Sequence, residues 1–252
     1  MSEADYFYDD GSPSARDLLR EHLASGQYHG AAVFRNNLFH SRQSLFQQVA
    51  ALQLPVAAVL CHCEGEADVS IDCNDVQGGF TAMRVLLENG HRRILVLAGD
   101  LDRPFLQRRL EGVMDCVRRM ELKDEPSLEV VPTPDAASSS RCLARALRRR
   151  DPPGALLFLW NKQLPDCDRV FERLRPLVPR KISVIACGAV FFRTRLFGIP
   201  DTVLWDAEEI GRTAARQLLG LIHGDPIQRA IQLEMPYIKH GTVAPWKPRS
   251  KR

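Results

Sequence analysis

The chain has 252 residues, of which 45% are hydrophobic and 26% charged, as is ordinary for a globular protein. Its net charge of +3 is too small to indicate a polyanionic partner. No apolar run approaches the roughly 18 to 20 residues of a membrane helix, and the acidic start is unlike a signal peptide. Seven cysteines without regular spacing do not indicate a disulfide framework. We therefore expect a cytoplasmic protein with no membrane partner.

Segments rich in β-branched and aliphatic residues alternate with segments that carry apolar residues at helical spacing. In chain order, the predicted elements are strand 5–8, helix 13–26, strand 30–34, helix 41–52, strands 55–60 and 69–72, helix 76–89, strand 93–98, helix 104–120, strand 128–131, helix 137–150, strand 154–159, helix 165–177, strand 182–187, the extended segment 202–205, helix 207–223 and strand 230–234. This alternation predicts an α/β protein with parallel sheets covered by helices. Ligands of such sheets bind beyond the carboxyl ends of the strands.

A series of short motifs spans nearly the whole chain. They are Ile71–Gly79, Leu86–Ile94, Leu97–Gly99, Arg109–Gly112, Ile182–Cys187, Asp201–Val203, Glu209–Ala215 and His240–Pro245. The middle ones contain an Asp after a strand, then Gly-His-x-x-Ile, a strand ending in Gly, and Arg-x-x-Gly. In this order and spacing they resemble the signature of the effector-binding domain of LacI/GalR-type transcriptional regulators.

The resemblance implies a two-lobed, periplasmic-binding-protein-like type I fold, in which each lobe is a parallel sheet flanked by helices. It places residues 1–73 and 203–224 in an N-terminal lobe, and residues 74–202 and 225–246 in a C-terminal lobe, before a basic tail at 247–252. Relatives begin with a further strand and helix, preceded by a DNA-reading domain. We therefore expect a truncated N-terminal lobe, and contact with DNA only through a domain absent from this chain.

The function that the resemblance implies is sensing of a small-molecule effector, sugar-like or nucleoside-like, with lobe closure in a homodimer controlling DNA binding. A solute-binding protein of a transport system, which shares the fold, is the alternative. No nucleophile and base pair, Gly-rich phosphate loop or metal triad is recognisable, so we expect neither an enzyme nor a cofactor.

Two polar residues lead the candidates for ligand binding. Asp72 ends a strand at a predicted lobe crossing, where its carboxylate can accept hydrogen bonds from ligand hydroxyls; the alternative is a turn or a helix cap. Arg109 matches the cleft arginine of the family, whose fork of donors can grip a ligand in two places, and its alternative is a structural salt bridge. Arg103 and Phe105, at the start of the same helix, are weaker candidates.

Aromatic and amide side chains complete the predicted site. Trp160 and Asn161 follow the strand 154–159, where an indole face suits the apolar side of a sugar and an amide both donates and accepts. Trp205 has a similar position at a lobe crossing. The alternative for these residues is a packed aromatic beside a turn Asn. Many sugar-binding relatives carry an Asp where this chain has Gly188 or Ala189, which puts a typical sugar ligand in doubt.

Two further clusters have structural explanations. Cys61-His62-Cys63, with Cys73 nearby, alternates across a predicted strand and so does not converge as metal ligands do, and we expect no metal site. The basic run Arg145, Arg148, Arg149 and Arg150 is predicted to lie in the last turn of a helix, where positive charge complements the helix dipole.

Overall fold

The computed structural model describes residues 21–22, 24–34, 53–60, 67–122, 124–175, 182–188 and 192–246. The predicted strand 5–8, most of helix 13–26, helix 41–52, Cys61-His62-Cys63 and the tail 247–252 lie outside these residues. The described chain divides into two compact units. The first contains the described residues up to Cys73 together with Ala207–Leu233, and the second contains Asn74–Asp206 and the residues from Glu234 onward.

The described elements follow the predicted alternation. They are β1 (Ala31–Phe34), β2 (Val56–Val59), β3 (Val69–Cys73), α1 (Asp75–Glu88), β4 (Arg93–Gly99), α2 (Pro104–Arg119), β5 (Ser127–Pro132), α3 (Ala136–Leu147), β6 (Ala155–Phe158), a 3-10 turn (Asn161–Gln163), α4 (Leu164–Arg173), β7 (Ser183–Cys187), β8 (Asp201–Val203), α5 (Ala207–His223), β9 (Ala230–Leu233) and β10 (Tyr237–Ile238). The predicted α/β class is confirmed.

The ends of two helices differ from the prediction. Helix α3 ends at Leu147 instead of residue 150, because the buried apolar positions that hold it on the sheet stop there. Helix α4 ends at Arg173 instead of residue 177. Pro176 follows shortly after, and a proline disfavours helical backbone at the residue before it. Strand β10 was not predicted, since a two-residue strand carries no periodicity.

The first unit is built on a parallel sheet with the strand order β1-β2-β3-β9. Strands β2 and β3 are buried along their whole length, as in sheets that are covered on both faces. Helix α5 packs on β1, β2 and β3. Because β9 pairs with β3 in parallel, residues 225–233 belong to this unit, whereas the resemblance placed them in the C-terminal lobe. Residues 203–206, which the resemblance placed in the N-terminal lobe, belong to the second unit.

The second unit is built on a six-stranded sheet with the order β10-β8-β7-β6-β4-β5, parallel except for β10. A core of apolar side chains from β4, β6 and β7 packs against α3 and α4, with Phe158 and Phe171 among its largest members. Helix α1 packs on β6, β7 and β8. None of the helices that the structure describes is both long and apolar enough to cross a bilayer.

Helices α1 and α2 meet through two glycines. A Cβ atom added at Gly79 would lie 1.8 Å from the carbonyl oxygen of Arg109, and one added at Gly112 would lie 1.9 Å from the carbonyl oxygen of Val76. Both distances are far shorter than any real contact, so the two helix backbones touch at these positions. The Gly of the Arg-x-x-Gly motif is therefore required by helix packing.

The segment after β10 is fastened to the second unit by one carboxylate. Asp201 Oδ1 accepts hydrogen bonds from the backbone N–H groups of His240, Gly241 and Thr242, at 2.8, 2.6 and 2.9 Å, and Oδ2 accepts one from the Tyr237 hydroxyl at 2.5 Å. Burial by itself raises the pKa of Asp201, but the bonds from Tyr237 and from these backbone groups outweigh burial and lower the pKa below its usual value.

The Gly-His pair of the signature anchors the same segment further along. Gly90 takes a positive φ of 80° just after α1, and the buried His91 places its Nε2 3.0 Å from the carbonyl oxygen of Ala244. Burial lowers the pKa of His91, so the ring is neutral and Nε2 carries the proton that it donates. The backbone N–H of Trp246 donates to the Asn89 carbonyl oxygen at 2.7 Å.

The contact between α1 and α2 predicts a sharp contrast between two glycine substitutions. Gly112→Ala is expected to lower the free energy of unfolding by about 3 kcal/mol, because the new methyl group meets backbone that cannot move alone. Gly211→Ala, in α5, has open space around its Cβ and should stabilise by about 0.5 kcal/mol. Urea unfolding of both variants measures the difference. An unchanged unfolding midpoint for Gly112→Ala would contradict the close contact.

The carboxylate of Asp201 predicts a dependence of stability on pH. Its pKa is lowered on folding, so its contribution is fully present above the unfolded value of about 3.9 and is lost as the pH falls through the folded value. Asp201→Asn should lower the free energy of unfolding at pH 7 by about 3 kcal/mol and flatten the loss of stability below pH 4. Urea unfolding between pH 7 and pH 3 tests this, with the exposed Asp225→Asn as the control. Equal pH profiles for wild type and Asp201→Asn would refute it.

Candidate functional site

Five of the seven predicted site residues follow the carboxyl ends of two strands of the six-stranded sheet, β4 and β6. Strands β4 and β6 are parallel neighbours, so the segments that follow them leave the sheet at the same edge. The segment after β4 leads into α2, and the segment after β6 leads through Leu159 into the 3-10 turn. The residues brought to this edge are Arg103, Phe105, Arg109, Trp160 and Asn161.

Arg109 forms a buried ion pair within the second unit. Its Nε donates to Asp75 Oδ1 at 2.7 Å, and its Nη1 donates to the carbonyl oxygen of Leu159 at 2.8 Å. The two side chains are only 4% and 3% exposed. The guanidinium thus joins the start of α1 to the end of β6. This is the structural salt bridge that was the alternative for Arg109, and it leaves Nη2 outside these two bonds.

An aromatic–cation cluster, formed by Arg103, Phe105, Trp160 and Lys162, lies beside this pair. The rings of Phe105 and Trp160 meet edge to face, with their centroids 5.5 Å apart. The Arg103 guanidinium and the Lys162 ammonium lie over the indole, 5.2 and 5.1 Å from its centroid. The Arg109 guanidinium lies 5.0 Å from the centroid of Phe105. The indole face therefore meets cations, whereas the sequence predicted a surface for a sugar.

Side chains from neighbouring segments hold the two loops of this edge. Asp100 accepts from Arg103 Nε at 3.2 Å in the turn before α2. The buried amide of Gln163 lies against Thr133, and in the orientation that satisfies both of its ends it donates to the carbonyl oxygens of Trp160 and Leu97. Thr133 Oγ1 also accepts from the Gly99 N–H at 3.1 Å. The loop after β6 is thereby tied to the ends of β4 and β5.

The side chain of Asn161 occupies the space beside Gly188. Asn161 is 5% exposed, and a Cβ at Gly188 would lie 2.4 Å from its Oδ1. Gly188 also has a φ of 138°, which side chains rarely adopt. With Asn161 in this place, position 188 cannot hold the Asp of many sugar-binding relatives. Ala189 lies outside the described residues.

Cys187, at the end of β7, interacts electrostatically with Arg109 and Asp75. Burial raises the pKa of its thiol to about 11, and the nearby Arg109 reduces that rise only in part. The thiol is therefore protonated and a poor nucleophile at neutral pH.

The other two predicted site residues are placed differently. Asp72 belongs to the first unit, where it is 6% exposed and accepts from the Ser70 hydroxyl at 3.3 Å. Trp205 is half-buried two residues after β8, which runs parallel to β7, so it too follows the carboxyl end of a strand of the six-stranded sheet. It is not one of the rings of the aromatic–cation cluster. The role of both in ligand binding stays a prediction.

Sequence reasoning missed three members of the site. Asp75 directly precedes the predicted helix 76–89, where an acid is common because it complements the helix dipole, so its position gave no signal of a buried pair. Lys162 and Gln163 directly follow Trp160 and Asn161, so treating this loop as one unit would have included them.

The remaining clusters have no visible part in a site. Arg149 lies beyond the end of α3 and forms two hydrogen bonds with the carboxylate of Glu129, so it is not in the last helical turn as predicted. Within the ranges that the structure describes, no three His, Cys, Asp or Glu residues are arranged to hold a metal ion.

The buried pair predicts a large cost for losing one partner. Arg109→Met should lower the free energy of unfolding by about 3–5 kcal/mol, because it leaves the Asp75 carboxylate buried without its counter-charge. Combining it with Asp75→Asn should cost less than the sum of the single substitutions. Arg212→Met removes an exposed pair with Glu208 in α5 and should cost under about 1 kcal/mol in the same urea titrations. Additive losses in the double variant would show that the two residues do not act as a pair.

Comparison with known proteins identifies sequence relatives of this chain. Residues 83–242 match the model of the periplasmic binding protein-like domain. The HTH-type transcriptional repressor PurR of Aliivibrio salmonicida is 23% identical over 209 residues, which cover 83% of this chain and 62% of the repressor. The chain thus spans less than two thirds of that relative.

Solved structures agree in fold. A LacI family transcriptional regulator from Enterococcus faecium with bound ribose has a TM-score of 0.73 and 20% identity, covering 92% of this chain and 84% of that one. The dimeric Lac repressor with an 11-residue C-terminal deletion has a TM-score of 0.68 and 19% identity, covering 92% and 83%. The resemblance to LacI/GalR-type regulators is confirmed, and the chain belongs to the periplasmic binding protein-like domain family.

Proposed function

We propose that this chain is the effector-sensing part of a LacI/GalR-type transcriptional regulator and binds a small sugar-like or nucleoside-like molecule at the carboxyl edge of its six-stranded sheet. The observation that carries the proposal is the convergence of Arg103, Phe105, Arg109, Trp160 and Asn161 on that edge, where parallel sheets bind their ligands. The repressor relatives favour a regulator over a solute-binding protein of a transport system.

The side chains at this edge have the chemistry that such a ligand needs. Trp160 and Phe105 supply apolar surface. The Asn161 amide can donate hydrogen bonds to the hydroxyls or base edge of a ligand and can accept hydrogen bonds from them. Arg109 has two nitrogens committed to the protein, so its Nη2 is the part of the fork directed to a ligand in this proposal. A few oriented polar groups in an apolar setting are typical of small-molecule sites.

The proposal also includes control of DNA binding, which residues outside this edge would carry out. The chain would act in the cytoplasm as a homodimer, contact DNA only through a separate domain, and bind its effector without chemical conversion. The ribose-bound regulator and the dimeric Lac repressor support this reading by analogy. A ligand controls such a protein only to the extent that it binds one conformation better than another.

Calorimetric titration tests ligand binding at this edge. The full chain is titrated with D-ribose, D-glucose and adenosine, and with their phosphorylated forms. Trp160→Ala should weaken binding of any ligand found by about 10-fold or more, because it removes the central ring of the site. Met114→Ala, an exposed position on α2, serves as the control and should leave the affinity unchanged.

Two outcomes would count against the proposal. If no ligand of these classes binds, the sensing function in this form is wrong. If a ligand binds equally well to wild type and to Trp160→Ala, the site lies elsewhere.

A further inference from the structure

We propose that the effector carries an anionic group, a phosphate or a carboxylate, which Lys162 and Arg103 receive beside the Trp160 ring. This inference rests on the proposed function, since it names the chemical class of the ligand at that same edge. It is carried by the charges of the aromatic–cation cluster and the buried pair.

Two carboxylates at this edge are already bound in ion pairs. Asp75 lies in the buried ion pair with Arg109, and Asp100 lies in the ion pair with Arg103. Among the ion pairs of the described residues, none includes Lys162, which is exposed and has its ammonium over the Trp160 ring. Arg103 and Arg109 thus each have a carboxylate partner, whereas Lys162 has none among these ion pairs; the exposed Asp102 also lies in the turn before α2.

The Lys162 ammonium has a defined position although no carboxylate pairs with it among the described ion pairs. A solvated lysine extends its ammonium into water, but here the ammonium lies 5.1 Å from the indole centroid, on the same ring that Arg103 approaches to 5.2 Å. Attraction to the ring holds both cations beside it. An oxyanion at the rim of this ring would be attracted by both positive charges.

The beginning of α2 adds to the positive potential at the same place. Arg103 is the N-cap residue of this helix and forms no side-chain capping bond, and the first turn contains no acidic residue. The positive end of a 16-residue helix therefore adds to the two side chains, with no acid in its own first turn.

The two cations differ in a way that fits an oxyanion. Arginine offers a planar fork that matches two oxygens of a phosphate or carboxylate, whereas lysine offers a compact charge. Arg103 uses Nε toward Asp100, and its guanidinium also lies over the indole of Trp160. Hydroxyl groups of a neutral sugar would accept hydrogen bonds here but would leave the charge uncompensated.

Matched ligand pairs test the inference. The full chain is titrated by calorimetry with D-ribose, D-glucose and adenosine, with D-ribose 5-phosphate, D-glucose 6-phosphate and AMP, and with D-ribonate, D-gluconate and inorganic phosphate. For at least one pair, the anionic member should bind roughly 10- to 100-fold more tightly than the neutral one. That preference should shrink when the salt concentration is raised to 0.5 M. Comparison of the phosphorylated sugars with the sugar acids distinguishes phosphate from carboxylate.

Substitution of Lys162 by glutamine removes its positive charge but keeps a polar side chain of similar length. Lys162→Gln should reduce the preference for the anionic member about 10-fold. Arg148→Gln, an exposed charge just after α3, is the matched control and should leave that preference unchanged.

Each remaining outcome is decisive. Equal affinity for neutral and anionic members overturns the inference and leaves the proposed function in place. A preference that Lys162→Gln does not alter also overturns it, because the anion would then be bound elsewhere. Inorganic phosphate that binds as tightly as the phosphorylated sugars excludes an anionic effector as stated. If none of these molecules binds, both the inference and the proposed function fail.

Discussion

The buried ion pair between Asp75 and Arg109 constrains the whole carboxyl edge of the larger sheet. Removing each charge from water costs several kcal/mol, and the pair persists only where good geometry and further hydrogen bonds offset that cost. Nε meets the carboxylate and Nη1 meets the Leu159 carbonyl oxygen. This geometry requires α1 and α2 to touch, which Gly79 and Gly112 allow. The ion pair therefore depends on the contact between α1 and α2, and the position of the end of β6 depends on the ion pair.

The loop after β6 is held at both of its ends because of that arrangement. Leu159 is tied to Arg109, and Gln163 is held against Thr133 after β5. Trp160 and Asn161 lie between these two anchors, so little freedom is left for them to lose when a ligand binds. A site that is ordered in advance spends less of its binding free energy on ordering side chains. The same reasoning makes Arg109 a positioning group, whose Nε and Nη1 are bound to the protein.

Much of the fold, and most of the residues at the edge, could be predicted from the sequence for a simple reason. Apolar runs alternate with helical periodicity, and the carboxyl ends of parallel strands share an edge, so Arg103 and Trp160 could be placed near each other without coordinates. The pairing of Arg109 with Asp75 could not, because it depends on a helix crossing distance that no periodicity encodes. The return of β9 to the first sheet was missed for a similar reason, since strand pairing over long separations leaves no local pattern.

The cations over Trp160 change which ligand chemistry the site favours. For a neutral sugar to stack on an indole face that a cation covers, it would have to displace that cation, which forfeits a cation–π attraction of about 0.5–1 kcal/mol. The stacking gained in return is of similar size, so the exchange yields little. A charge-assisted hydrogen bond to an anion contributes about 1.5–3 kcal/mol and leaves both cations on the ring. Because the second route adds a favourable term without removing one, a charged oxygen fits the cluster better than an apolar sugar face does.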